Sequence, residues 1–165
     1  MSADMSATTL DHPLKIRVRE LYEEYFACLE AQDLTAWPSF FTEDAVYLVQ
    51  SDQSHRSGLL IGDIYCDGIA MFRDRAAATA NTSVHARQTI RHFPGALKLA
   101  ARKGDLVSST MSYLAVRSVT DEAPTFFSVG RSIDEIAVNG DRLRFARRTV
   151  IYDHDRIDNS LVFPL

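Results

Sequence analysis

The chain has 165 residues, enough for one domain and too few for two ordinary ones. Hydrophobic residues make up 46% and charged residues 24%, the balance of a folded globule, which excludes a wholly disordered chain. The net charge is −4, and the densest basic group (Arg142, Arg144, Arg147, Arg148) lies in an alternating segment that splits it between two faces, so nucleic acid is not an expected partner.

Residues 1–12 are poor in large apolar side chains and read as a flexible arm, leaving 13–165 as a single domain. Pro13 suits the first turn of a helix, where its missing N–H costs nothing. Over 15–31 the apolar positions Ile16, Val18, Leu21, Tyr22, Tyr25, Phe26 and Leu29 recur at spacings of three and four, which predicts a helix with one buried face. Asp33 then caps a short second helix through Leu34, Trp37, Phe40 and Phe41, with Pro38 in its first turns. A strand is expected over 45–50, a polar loop over 51–58 and a short extended piece over 59–65. Asp67 starts a third helix, 69–78, whose buried side is Ile69, Met71, Phe72 and Ala76, and a loop follows over 79–86.

From here the period changes to two. Strands are predicted over 87–93, 96–102, 106–119, 125–138 and 142–152. Lys103-Gly104-Asp105, residues 120–124 and Asn139-Gly140 mark the turns, the last being the strongest hairpin signal because both residues accept positive φ. Helices followed by a long antiparallel meander imply an α+β fold, with the N-terminal helices packed on one face of a curved sheet.

No apolar run approaches the roughly 18 residues that span a bilayer, so no membrane association is expected. The first ten residues lack the basic and hydrophobic regions of a secretory signal, and a cytoplasmic protein with Cys28 and Cys66 as free thiols follows.

The chemistry-bearing residues form few patterns. An iron–sulfur cluster held by two Cys and two His would need Cys-x-His and Cys-x-x-His pairs, but Cys28 is followed by Leu-Glu-Ala and Cys66 by Asp-Gly-Ile. His12, His55, His85, His92 and His154 show no His-x-Asp or Glu-x-x-His spacing for mononuclear iron. No metal or cofactor site is therefore expected on this chain. No Gly-x-Gly or Gly-x-Ser-x-Gly occurs. Acid–base catalysis would need Asp44, Tyr47, Tyr25 and His92 to converge in an apolar pocket. The plainer alternative has Asp44 capping a turn and His92 bonding a backbone carbonyl. In Arg91-His92 and Arg147-Arg148 strand alternation turns one member of each pair inward or toward a neighbouring subunit, and a buried arginine needs carboxylates.

Three segments resemble the β-subunit family of Rieske-type aromatic-ring-hydroxylating dioxygenases. The first runs from Leu21-Tyr22 through Trp37-Pro38-Ser39-Phe40-Phe41-Thr42-Glu43-Asp44-Ala45-Val46-Tyr47. The second is Arg91-His92. The third is Ala146-Arg147-Arg148-Thr149-Val150-Ile151-Tyr152-Asp153, continued by Asn159-Ser160-Leu161-Val162-Phe163-Pro164-Leu165. The tail and Trp37-Pro38 look most like the small subunits of terephthalate- and salicylate-type oxygenases.

The resemblance implies a cone-shaped, nuclear-transport-factor-like fold and a non-catalytic structural role in the catabolism of an aromatic acid. It also implies an assembly of three α and three β subunits, with the Rieske [2Fe–2S] centre and mononuclear iron on the catalytic α subunit. Electrons would come from a reductase or ferredoxin. Arg91, Arg147, Arg148, Asn159, Phe163 and Leu165 are the expected subunit-interface residues. The alternative is a stand-alone cone-fold isomerase, dehydratase or cyclase using Asp44, His92 and Tyr47.

Overall fold

The computed structural model describes residues 6–81, 88–154 and 163–165. In chain order it contains α1 (Ser6–Glu30), a 3-10 turn (Trp37–Phe40), β1 (Phe41–Ser51), α2 (Asp52–Arg56), β2 (Ile64–Asp67) and α3 (Ile69–Asn81), then the strands β3 (Gln88–Lys103), β4 (Leu106–Val119), β5 (Thr125–Asn139) and β6 (Arg142–Tyr152). The strands form one sheet in the order β2-β1-β6-β5-β4-β3. Every pairing is antiparallel except that of β1 with β6, which is parallel. The expected α+β layering, with α1 and α3 covering one face of a mainly antiparallel sheet, is the observed one.

The helices depart from the sequence reading in instructive ways. α1 begins upstream of Lys15 and carries Pro13 in its interior, because apolar spacing marks the packed part of a helix and not its end. The second helix shrinks to a 3-10 turn. Asp33 caps the turn before it, its Oδ1 accepting the Ala36 N–H at 3.0 Å, while the 3-10 turn has Ala36 at its N-cap and no side-chain cap, and Phe41 is already extended and opens β1. The stretch 51–58, expected as a loop, contains α2 instead. Ser51 caps it by accepting the Ser54 N–H, and an Arg56–Asp52 ion pair of 2.6 Å, four residues apart, spans it. In α3 the predicted face holds for Phe72 and Ala76, whereas Met71 is exposed, its sulfur accepting the Asp67 N–H.

The strands after α3 follow the sequence closely, whereas β1 starts four residues before the expected 45–50 and the extended piece expected over 59–65 is a strand only from Ile64 to Asp67. Segments 87–93 and 96–102 are one long strand, β3, with a ladder irregularity between Pro94 and Leu97. Proline is tolerated there because β3 is an edge strand, and the freed Ala96 N–H donates to the Ser112 hydroxyl at 2.8 Å. At the β5–β6 hairpin only Gly140 takes positive φ; Asn139 stays in β5, paired with Arg142. The loop is thus Gly140-Asp141, glycine first.

Candidate functional site: the interior of the cone

Two periodicities build the interior. The three-and-four spacing of α1 turns Val18, Leu21, Tyr22, Tyr25, Phe26 and Leu29 onto the sheet, all buried. Alternation in β4 brings in Ser109, Met111, Tyr113 and Ala115, and in β5 Ser128, Gly130, Ser132, Asp134 and Ile136. β6 breaks alternation. The register shifts between Glu135 and Ile136, so Phe145 and Arg148, three apart, both point inward while Arg147 faces out.

Arg148 is thereby set opposite Asp134 on the neighbouring strand, and each is 1% exposed. The Arg148 Nη1 donates to the Asp134 Oδ2 at 2.9 Å and to the Ser132 hydroxyl oxygen at 3.2 Å. The same carboxylate oxygen accepts from the Ser132 hydroxyl at 2.6 Å and from the Tyr22 hydroxyl, which also bonds Ser109. Aromatic rings enclose the guanidinium, its Cζ lying 4.6 Å from the Tyr25 centroid and 5.0 Å from that of Phe145. Burial pushes the Asp134 carboxyl up against the opposing pull of Arg148, and burial and Asp134 together push the Tyr22 hydroxyl up. Asp134 draws the Arg148 guanidinium further up despite burial, so the arginine keeps its charge.

A second set of contacts closes the cone beside the first. Trp37, Tyr25, Tyr47, Phe41, Phe72 and Phe145 pack edge-on or tilted against one another around its middle. Leu165 is buried among them. Its main-chain oxygen accepts from the Tyr25 and Tyr47 hydroxyls, each at 2.9 Å, and its N–H donates to the Tyr47 oxygen at 2.8 Å. Trp37 Nε1 donates to the Tyr25 oxygen at 3.2 Å.

Of the residues considered for acid–base catalysis, Tyr25 and Tyr47 meet at Leu165, but among the described residues no hydrogen bond joins Asp44 or His92 to them. Asp44 is exposed at the irregular start of β1 and accepts from the Thr42 hydroxyl. Tyr47 is buried and bonded to Leu165. His92 lies on β3, separated from β1 in the sheet by β6, β5 and β4. It does not bond a backbone carbonyl. Its ring stacks on Phe26 at 4.9 Å, neither ring nitrogen has a hydrogen-bond partner, and burial lowers its pKa to about 4, so it is neutral near pH 7.

The expected interface residues divide. Arg91 is exposed and paired with Glu30 at 2.7 Å, and Arg147 is exposed beside Glu135 at 3.7 Å. Arg148 and Leu165 lie inside their own chain, Phe163 is partly buried against the same core, and Asn159 lies outside the described residues. The Asp134 carboxylate and its Tyr22, Ser109 and Ser132 partners went unread in the sequence. The signal was the inward run Ser128-x-Gly130-x-Ser132-x-Asp134, a carboxylate on the apolar side of an alternating strand.

Among the described residues no three His, Cys, Asp or Glu side chains come together to hold a metal ion. Burial raises both thiols; Cys28 is spent on the Asp33 carbonyl and Cys66 is buried on β2. The donors present do not fit an iron–sulfur cluster.

The model of the SnoaL-like domain matches residues 15–149. The chain belongs to the SnoaL-like domain family. Its sequence resembles the anthranilate 1,2-dioxygenase small subunit of Burkholderia cepacia, 26% identical over 98% of this chain and 100% of that one. The terephthalate 1,2-dioxygenase terminal oxygenase subunit β 2 of a Comamonas species is 23% identical over 92% and 98% of the two chains. A solved structure from Novosphingobium aromaticivorans DSM 12444, assigned as the β subunit of an aromatic-ring-hydroxylating dioxygenase, superposes with a TM-score of 0.85 at 27% identity, covering 93% of this chain and 97% of that one. Among the described residues, the interior of this SnoaL-like domain holds aromatic rings, a buried ion pair and Leu165, with Asp44 and His92 on separate strands.

Proposed function

We propose that this chain is the small, non-catalytic subunit of a multi-subunit aromatic-ring-hydroxylating dioxygenase acting on an aromatic carboxylic acid in the cytoplasm. The observation that carries this reading is the end-to-end likeness to the anthranilate and terephthalate dioxygenase small subunits. The interior supports it from the physical side. A catalytic base must reach the proton it removes, and here Asp44 faces solvent while the His92 ring is buried with neither nitrogen hydrogen-bonded, its Nδ1 3.8 Å from Glu30.

In this reading the catalytic α subunit carries the Rieske [2Fe–2S] centre and mononuclear iron, and receives electrons from a reductase or ferredoxin. Three α and three β subunits form the assembly. This chain supplies a rigid, shaped support: Arg148 and Leu165 fix its interior, and exposed Arg91 and Arg147 face neighbouring subunits. Charges at such a rim steer encounter and register more than they add affinity.

Co-expression with its α subunit tests the proposal. The expected result is a stable iron-containing complex that consumes oxygen with an aromatic acid, while the lone chain binds no iron and turns nothing over. Stoichiometric iron or turnover of an aromatic acid by the lone chain would overturn it.

A further inference from the structure

Residues 163–165 are held unlike any strand or helix of the chain. Among the described residues, the hydrogen bonds reaching Leu165 come from tyrosine side chains and not from a backbone ladder. The Tyr47 hydroxyl accepts the Leu165 N–H and donates to its C=O, so one phenol reads both polar groups of the same residue. Tyr25 supplies a second donor to that oxygen, and the Trp37 N–H occupies the Tyr25 oxygen, which leaves the Tyr25 proton free to point at Leu165. The Leu165 side chain is buried in the aromatic well, Pro164 is buried behind it, and Phe163 is partly buried against the core. A branched apolar group in an aromatic cup, with a few convergent polar groups fixing its orientation, is the arrangement of a ligand in a receptor.

We propose that Tyr25, Tyr47 and Trp37 form a receptor for a short apolar peptide group, which the chain fills with its own residues 163–165. Emptied, the receptor takes an apolar acid or amide of leucine size. The two phenols would otherwise be buried beside a void, and a buried hydroxyl without a partner is costly enough to favour rebinding. The inference rests on these contacts alone and holds whether or not the chain serves a dioxygenase.

The test uses the chain shortened to end at Val162, with acetyl-Phe-Pro-Leu as the probe, followed by calorimetry and circular dichroism. The shortened chain is expected to bind the peptide saturably, the full chain is not, and Tyr47→Phe in the shortened chain should weaken binding about tenfold. A folded shortened chain that ignores the peptide, a full chain that binds it equally well, or binding indifferent to Tyr47→Phe would each overturn the proposal. If the shortened chain does not fold, Leu165→Ala in the full chain takes its place with 4-methylpentanoate as the probe. A rise in Tm with probe, absent from the unsubstituted chain, supports the receptor; an equal response, or none in either, overturns it.

Discussion

On the concave side of the sheet Asp134 and Arg148 face one another in the dark of the core, whereas outside it Leu60 stands 79% exposed, Ile61 68% and Phe93 55%. Charge lies where water is absent and large apolar groups lie where water is present. Each half of that inversion costs stability in an isolated globule. The interior half is repaired within the chain by Ser132, Tyr22 and an aromatic cage, which bond one oxygen of Asp134 and enclose the guanidinium. Among the described residues no such repair covers Leu60 and Ile61, and their exposure fits a chain whose working surface is its outside.

Breaking the ion pair should give the largest effect. Arg148→Met strands a buried carboxylate and is expected to cost about 3–5 kcal/mol in urea unfolding, while Arg148→Met with Asp134→Leu regains most of it. A single variant as stable as the double one would show that the pair is not the interior's fixed point.

The next effect concerns pH. His92 binds its proton more weakly when folded, at about 4 against an ordinary 6.5, so the unfolded chain holds more protons between those values. Stability should be level above pH 6.5 and fall as pH drops toward 4, by about 3 kcal/mol. Measured as the difference between the unsubstituted chain and His92→Phe, which cancels the shared carboxyls apart from the adjacent Glu30, the His92 part of this slope should vanish in the variant.

Tyr47→Phe removes both bonds between that phenol and Leu165 and should cost about 1–3 kcal/mol in the same assay. Last comes the outside. Arg91→Glu with Arg147→Glu should change stability by about 1–2 kcal/mol, since both arginines are exposed although Glu30 is largely covered. The same double variant should slow assembly with the α subunit at low salt, a loss that added salt reduces. Unchanged association kinetics would move the interface elsewhere.

How legible each region was follows from the range of its contacts. The strands could be read because burial on one face imposes alternation locally, and β4 and β6 begin and end where the sequence put them. Adjacency alone turned one residue of Arg147-Arg148 inward. Which carboxylate met it could not be read, because the β6 irregularity resets the register and only pairing with β5 places Asp134 opposite. Leu165 was harder still: its hydroxyl partners lie 118 and 140 residues away, beyond any local pattern. α2 was missed because five residues are too few for periodicity, and its hold is a Ser51 cap and the ion pairs of Asp52 with Arg56 and Arg131.

The parallel pairing of β1 with β6 sets a schedule. Val46 lies beside Arg147, and β3, β4 and β5 all come between them in the chain, so the early strand waits for the late one. Local hairpins can form as the polypeptide emerges from the ribosome, but Tyr47 and Val49 stay unshielded on an open edge until β6 has been made. Such a topology folds slowly and is vulnerable to aggregation before synthesis reaches Tyr152, which makes yield in the cell sensitive to chaperone supply and growth temperature.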